Sequence, residues 1–175
     1  MLPLRVPGAQ LRRFRLTDLP AFQAYRHDPD VGRYQGWSPM PDDEAASFLA
    51  NMSTAPLLQP GGWSQIAIAE QAGLRLWGDI GLRLASDGSE AEIGFTLAAA
   101  YQRRGIATAA VRAAIGLVFG HTTAARIIGI TDARNEASVN LLERLGLQRT
   151  AEQQVMFRGE PCTEWVYMLA RPRLA

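Results

Sequence analysis

Lysine is absent from this chain, and all 18 of its cationic side chains are arginine. That excludes a lysine Schiff base, a lysine general base and a phosphate-binding loop ending in Gly-Lys, since each needs an ε-amine that titrates or points at a phosphate. Cysteine is nearly absent. With Cys162 alone, neither an intrachain disulfide nor a Cys-x-x-Cys metal site can form. Long apolar runs are missing too: hydrophobic residues make up 47% of the chain but fall in short stretches, well below the roughly 18 consecutive apolar residues of a membrane span. The opening Met-Leu-Pro-Leu-Arg lacks the apolar core and small-residue cleavage site of a secretory leader, so a cytoplasmic location away from membranes is the expectation. Nor is there an excess of either charge. Seventeen acidic residues against 18 arginines leave a net charge of +1, which provides no field for nucleic acid.

Within 175 residues the expectation is one domain spanning 1–175. Gln10 to Arg15 reads as a strand, and Thr17 reads as the N-cap of a helix reaching His27. Pro41 followed by Asp42, Asp43 and Glu44 opens a second helix, proline first and carboxylates against the macrodipole, running to about Met52. Alternating apolar residues predict strands over Trp63 to Glu70, Leu76 to Leu84 and Glu92 to Leu97, the last with Ile93, Phe95 and Leu97 on one face. Helical spacing of Ile106, Ala110, Ala113 and Leu117 predicts a helix over Gly105 to Gly120. A strand over Arg126 to Asp132 follows, then a helix from Asn135 to Leu145 stopped by Gly146. Strands over Gln148 to Phe157 and Thr163 to Leu169 finish the chain. Strand-helix-strand in the second half implies a parallel pair, and the meander before it implies antiparallel ones. The fold class is therefore mixed α/β: a twisted, mostly antiparallel sheet of about seven strands with helices on both faces.

The strongest local feature is Gln102-Arg103-Arg104-Gly105-Ile106-Ala107, between a strand and a helix. A glycine turn there aims unpaired backbone N–H groups at one spot, the helix dipole adds positive charge, and the arginines can add bidentate contacts, so this is a candidate anion site. It is neither a dinucleotide fingerprint nor a Walker loop.

This turn, the strand Ala91 to Leu97 before it and the later segment Asn135 to Leu147 occur together and in order. In that combination the sequence resembles the GNAT superfamily of acetyl-CoA-dependent N-acetyltransferases, within it the branch that acetylates ribosomal-protein N-termini, over about residues 8 to 170. Gln-x-x-Gly-x-Ala matches the family's pyrophosphate loop, and Asn-x-x-Ser with a following Leu-Gly matches a helix further on. The resemblance implies acetyl-CoA as co-substrate, no metal, and an amine acceptor, either a protein N-terminus or a small molecule. It implies that backbone groups of Phe95, Thr96 and Leu97 hold the pantetheine. By the same resemblance the amides of Arg103, Arg104, Gly105, Ile106 and Ala107, after Gln102, hold the pyrophosphate. Asn135 would hold the cofactor arm, and Ser138 would donate a proton to the departing thiolate, although both residue types also cap helices.

A neutral amine must attack the thioester, so a base or a water chain has to take its proton. Glu92 is the first candidate and Asp79 the second. His27 and His121 read as solvated helix ends, and Tyr167 reads as core. Many relatives carry a sulfur-protonating tyrosine soon after the Leu-Gly, and Leu147 to Met156 contains none, which puts more weight on Ser138, or on no acid at all, since a thiolate is a tolerable leaving group near pH 7. Tyr34 and Trp37 are candidates for the acceptor wall, with Trp63, Phe157 and Trp165 behind them, and aromatic residues in such numbers also suit a core or a homodimer contact. A non-catalytic acyl-CoA-binding domain of the same fold is the alternative reading.

Overall fold

A computed structural model of the chain describes residues 1–172. Its strands are β1 (Leu4–Val6), β2 (Ala9–Arg12), β3 (Trp63–Ala69), β4 (Leu76–Leu84), β5 (Glu90–Leu97), β6 (Arg126–Asp132), β7 (Gln148–Phe157) and β8 (Glu160–Ala170). They form one eight-stranded sheet in the order β1-β2-β3-β4-β5-β6-β8-β7, in which β5 and β6 are the parallel neighbours and every other strand pair is antiparallel. The helices are α1 (Leu19–Arg26), α2 (Pro29–Gly32), α3 (Asp42–Thr54), α4 (Ile106–His121) and α5 (Glu136–Arg144).

Side-chain alternation divides the core between the two faces of the sheet. Ile66 and Ile68 of β3, Ile80 and Leu82 of β4 and Ile93 of β5 pack with Ala110, Val111, Ala114 and Val118 of α4 and with Leu142 of α5. Ala67, between the two isoleucines, lies on the other face with Phe22 and Tyr25 of α1 and Ala45 and Leu49 of α3. Helices therefore cover both faces, as expected.

The sheet has one strand more than expected, because the chain before Gly8 pairs back on β2. Gly8 sits at φ +78° in that turn, a conformation glycine adopts without strain. The first predicted strand also ends early, at Arg12. Phe14 leaves the sheet to meet the rings of Phe22 and Phe48 edge-on. Thr17 is not an N-cap. Leu16–Asp18 forms a 3-10 turn, and Asp18 is buried where it accepts two hydrogen bonds from the Arg12 guanidinium, at 2.7 and 2.8 Å, and one from the Arg15 amide. The short α2 was not expected either. Asp28 caps it from ahead of Pro29, its side chain accepting from the amides of Asp30 and Val31.

A second buried ion pair lies on the α1 face. Asp79 of β4 accepts from Arg26 at 3.0 Å and from the Tyr25 hydroxyl at 2.5 Å, and the Arg26 guanidinium lies 4.7 Å from the Phe22 ring and 4.4 Å from the Trp37 ring. Asp79 is thus a structural carboxylate under a helix and not a candidate base. Burial, with Asp79 beside it, holds the Tyr25 hydroxyl well above its ordinary pKa, so it stays a donor. Removing one partner strands the other charge in the core. Asp79→Ala is expected to lower the unfolding free energy by about 3–5 kcal/mol in urea titrations, and Asp79→Asn by less, because the amide oxygen still accepts from Tyr25.

Candidate active site

The site is made where β5 and β6 part. They pair over three positions, Glu90 with Arg126, Ala91 with Ile127 and Glu92 with Ile128. Beyond them β5 stays with β4 as far as Leu97 opposite Gly78, while β6 stays with β8 as far as Asp132 opposite Glu164. Glycines permit the divergence. A Cβ on Gly78 would lie 2.1 Å from the Thr96 carbonyl oxygen, so β5 leans onto β4 only because that atom is missing. Likewise a Cβ on Gly129 of β6 would lie 2.9 Å from a Leu142 methyl, so glycine lets α5 settle against β6.

A cleft of about 680 Å³ opens at the wedge, and two helix N-termini converge on it. One belongs to α4. Arg103 and Gly105 lie at φ +59° and +75°, a tight curl ahead of the helix, and no side chain caps this helix among the described residues. Its first intrahelical acceptor is the Gly105 carbonyl, bonded by Ala109, which leaves the amides of Ile106, Ala107 and Thr108 without a helical partner. The other terminus is that of α5, where the Asn135 side chain accepts from the Ser138 amide at 3.2 Å. One N-terminus is therefore capped from within and the other is open to a ligand.

Of the residues singled out in the sequence, Tyr34, Phe95, Thr96, Leu97, Gln102, Arg103, Gly105, Ala107, Asn135 and Ser138 line this cleft. Arg104 and Ile106 do not. Arg104 lies 5.9 Å from the Tyr101 ring and the Ile106 side chain is buried in the core, so Ile106 can offer the cleft only its amide. Trp37 is also off the wall. Its ring stacks on Arg26 and presses on Gly32, and its indole N–H donates to Thr96 Oγ1 at 3.1 Å. Tyr167 is buried, with its hydroxyl on Glu143, and His27 and His121 terminate α1 and α4. Asp30, Gln35, Thr108, Glu136, Asn140 and Arg144 line the cleft without having been anticipated. Three of these were legible, since Glu136, Asn140 and Arg144 repeat every four residues along one face of α5.

Glu92 lies at the last paired position of β5, outside the cleft wall. Its neighbours Ala91 and Ile93 point into the α4 core, so Glu92 points to the opposite face, together with Gly94. Burial raises its carboxyl above the ordinary glutamate range. Arg83, at 3.9 Å, lowers it, and Glu90 and Glu164 push it up again. A carboxyl with a raised folded pKa keeps its proton to higher pH in the folded chain than in the unfolded one. Stability therefore falls as pH rises from the unfolded value through the folded one, and the deficit persists above it. Glu92→Gln is expected to be more stable than the parent at pH 7 by less than about 1 kcal/mol, with the gap closing near pH 3, as read from denaturation midpoints at the two pH values.

Among the described residues no three His, Cys, Asp or Glu side chains converge as a metal site, and no helix is long and apolar enough to cross a membrane. Residues 9–148 match the model of the acetyltransferase (GNAT) domain family. The uncharacterized N-acetyltransferase YoaA of Bacillus subtilis (strain 168) is 29% identical over 166 residues, 93% of either chain. Among solved structures, a GNAT-family acetyltransferase from Bacillus anthracis superposes with a TM-score of 0.84 at 20% identity, covering 97% of this chain and 98% of that one. RimL, a ribosomal L7/L12 α-N-protein acetyltransferase solved with coenzyme A, gives 0.80 at 16% identity, covering 95% and 98%. The matched span runs from β2 through α5 and takes in both sides of the wedge and both helix N-termini. The chain belongs to the GNAT acetyltransferase family of acetyl-CoA-dependent acyltransferases.

Proposed function

We propose that this domain transfers the acetyl group of acetyl-CoA directly to a primary amine, a protein N-terminal α-amine or a small-molecule amine, in the cytoplasm. One observation carries the donor half: an α-helix of 16 residues opens without a side-chain cap into the same cleft as the parted end of β5. Bound acetyl-CoA supplies the acetyl group as a thioester, already activated toward an amine. The amides of Ile106, Ala107 and Thr108 serve the pyrophosphate, with Arg103 and Arg144 as cations on the same wall. Backbone groups of Phe95 to Leu97 serve the pantetheine in the manner of a strand edge, and the Phe95 amide donates to the oxygen on which charge develops.

Ser138, on the first turn of α5, protonates the leaving sulfur. Asn135 holds that turn and faces the cofactor arm. Glu92 works from the opposite face of β5, through water, taking the proton that the amine must lose. Its raised pKa brings it nearer neutrality, where a general base is most effective. Tyr34 stands at the cleft wall toward the acceptor.

Gly105→Asp tests the donor site. A Cβ there meets nothing within 4 Å, so the variant is expected to fold, at roughly 1 kcal/mol of backbone strain from φ +75°. The new carboxylate would face the pyrophosphate, and calorimetry with CoA is expected to show no binding; unchanged affinity in a folded variant removes the assignment.

For the chemical step, thiol release from acetyl-CoA over a panel of peptide and small-molecule amines is the assay. Glu92→Gln is expected to lose about 10²–10⁴-fold in kcat and its lower pH limb, with CoA affinity intact. Ser138→Ala is expected to lower kcat with little change in KM. A full rate at every pH in either variant rules out its role.

A further inference from the structure

The two β5 carbonyls on the parted edge are not free. Gln102 Nε2 donates to the Leu97 carbonyl at 2.8 Å, and Gln35 Nε2 donates to the Phe95 carbonyl at 3.3 Å. Each is a side-chain carboxamide standing where a neighbouring strand would have put a backbone amide. They are held differently. Gln102 belongs to the turn before α4, and its bond is of ordinary length. Gln35 lies in the segment after α2, and its bond is at the long end of the range, with its Oε1 accepting from Thr96 Oγ1, also at 3.3 Å.

Residues 35–37 are held from several directions. The Trp37 indole N–H donates to Thr96 Oγ1, the hydroxyl that also holds Gln35, and the Gln35 amide donates to the Gly32 carbonyl. From the far end of the sheet, Arg158 at the tip of the β7–β8 hairpin donates to the carbonyls of Gln35 and Trp37 at 3.2 and 3.1 Å. The segment is thus strapped to β5 on one side and to the hairpin on the other, and the Gln35 side chain lies within the donor cleft.

We infer that Gln35 is a latch released by the donor: its carboxamide occupies the Phe95 carbonyl until the pantetheine arm, which carries two amides of its own, takes that acceptor and loosens the segment 33–38, which Arg158, Thr96 and Arg26 still hold. The inference rests on the donor-site reading above. The exchange is one N–H···O=C hydrogen bond for another, so the latch leaves no carbonyl unpaired in either state. Its consequence is directional coupling: filling the donor cleft removes one of the bonds that tie the segment carrying Tyr34 to β5. By reciprocity, whatever loosens that segment favours the donor.

The test uses the full chain with CoA as the probe. Calorimetry on the parent and on Gln35→Ala is expected to show CoA binding roughly two- to tenfold tighter in the variant, which has no latch bond to break. Amide hydrogen exchange over residues 33–38 is expected to speed up on adding CoA to the parent. In Gln35→Ala it is expected to be fast already and insensitive to CoA. Equal or weaker CoA binding by a folded Gln35→Ala, or exchange over 33–38 that CoA leaves unchanged or slows in the parent, overturns the latch while leaving the donor site standing. No CoA binding by the parent overturns the donor site and the latch together. Gln35→Glu, which cannot donate to the Phe95 carbonyl, is expected to reproduce the fast exchange and guards against an effect of lost side-chain volume alone.

Discussion

The constraint on which the rest of this structure depends is the three-residue parallel pairing of β5 with β6. A parallel pair that stops after Glu92 and Ile128 leaves two strand edges facing each other across a wedge, and buried backbone groups cannot stay unpaired. The solutions all lie at the wedge. β5 is pressed onto β4 at Gly78, β6 is covered by α5 at Gly129, and two glutamine carboxamides take the exposed carbonyls of β5. The crossover that a parallel pair requires is α4, and it must begin just past the end of β5. Its open N-terminus at the mouth of the wedge therefore follows from the topology, and the proposed anion and strand-edge sites share that origin.

A chain without lysine still has to hold charges in its interior, and it does so with guanidinium groups in settings an ammonium could not fill. Arg12 meets Asp18 through two nitrogens, and Arg26 combines an ion pair to Asp79 with stacking between Phe22 and Trp37. The second arrangement links the core to the site. Asp79 fixes Arg26, Arg26 carries the Trp37 ring, Trp37 donates to Thr96, and Thr96 belongs to the strand whose edge the donor would use. At the proposed donor cleft the missing ε-amine would be no handicap, because the α4 N-terminal amides, the helix dipole and Arg103 and Arg144 offer positive charge without one.

What was legible in the sequence was what repeats. β4, β6 and β7 have the expected bounds, and α4 and α5 start and stop within a residue of theirs, because apolar period and capping chemistry are local signals. The loop Gln102 to Ala107 was legible for the same reason, a glycine turn between a strand and a helix. The failures are long-range. Thr17 reads as an N-cap, but Asp18 beside it is drawn into the core by Arg12, across a turn. Gln35 is a polar residue in an irregular segment, and its partner Phe95 is 60 residues away, a pairing that no window of sequence contains. Trp37 reads as a pocket wall because an exposed-looking aromatic residue suits one, yet its ring is needed over Arg26.

The two faces of β5 divide the proposed chemistry. Alternation sends Ala91 and Ile93 toward α4 and leaves Glu92 and Gly94 on the opposite face. Gly94 stands directly across from Gly81 of β4, a cross-strand pair without side chains of its own beside the wedge, and a Cβ on Gly94 would meet nothing within 4 Å. Gly94 leaves open space beside a carboxyl whose pKa burial raises at a cost to stability, whereas Gly81 makes room for the Trp63 ring, 3.1 Å from where a Cβ on Gly81 would lie. The open space and the costly carboxyl both make sense if the amine comes to the thioester through the wedge from this face, with Glu92 on its path. The sheet would then be the partition between donor and acceptor, and the latch at Gln35, bonded to the last residues of that partition, is where occupancy on one side can be sensed on the other.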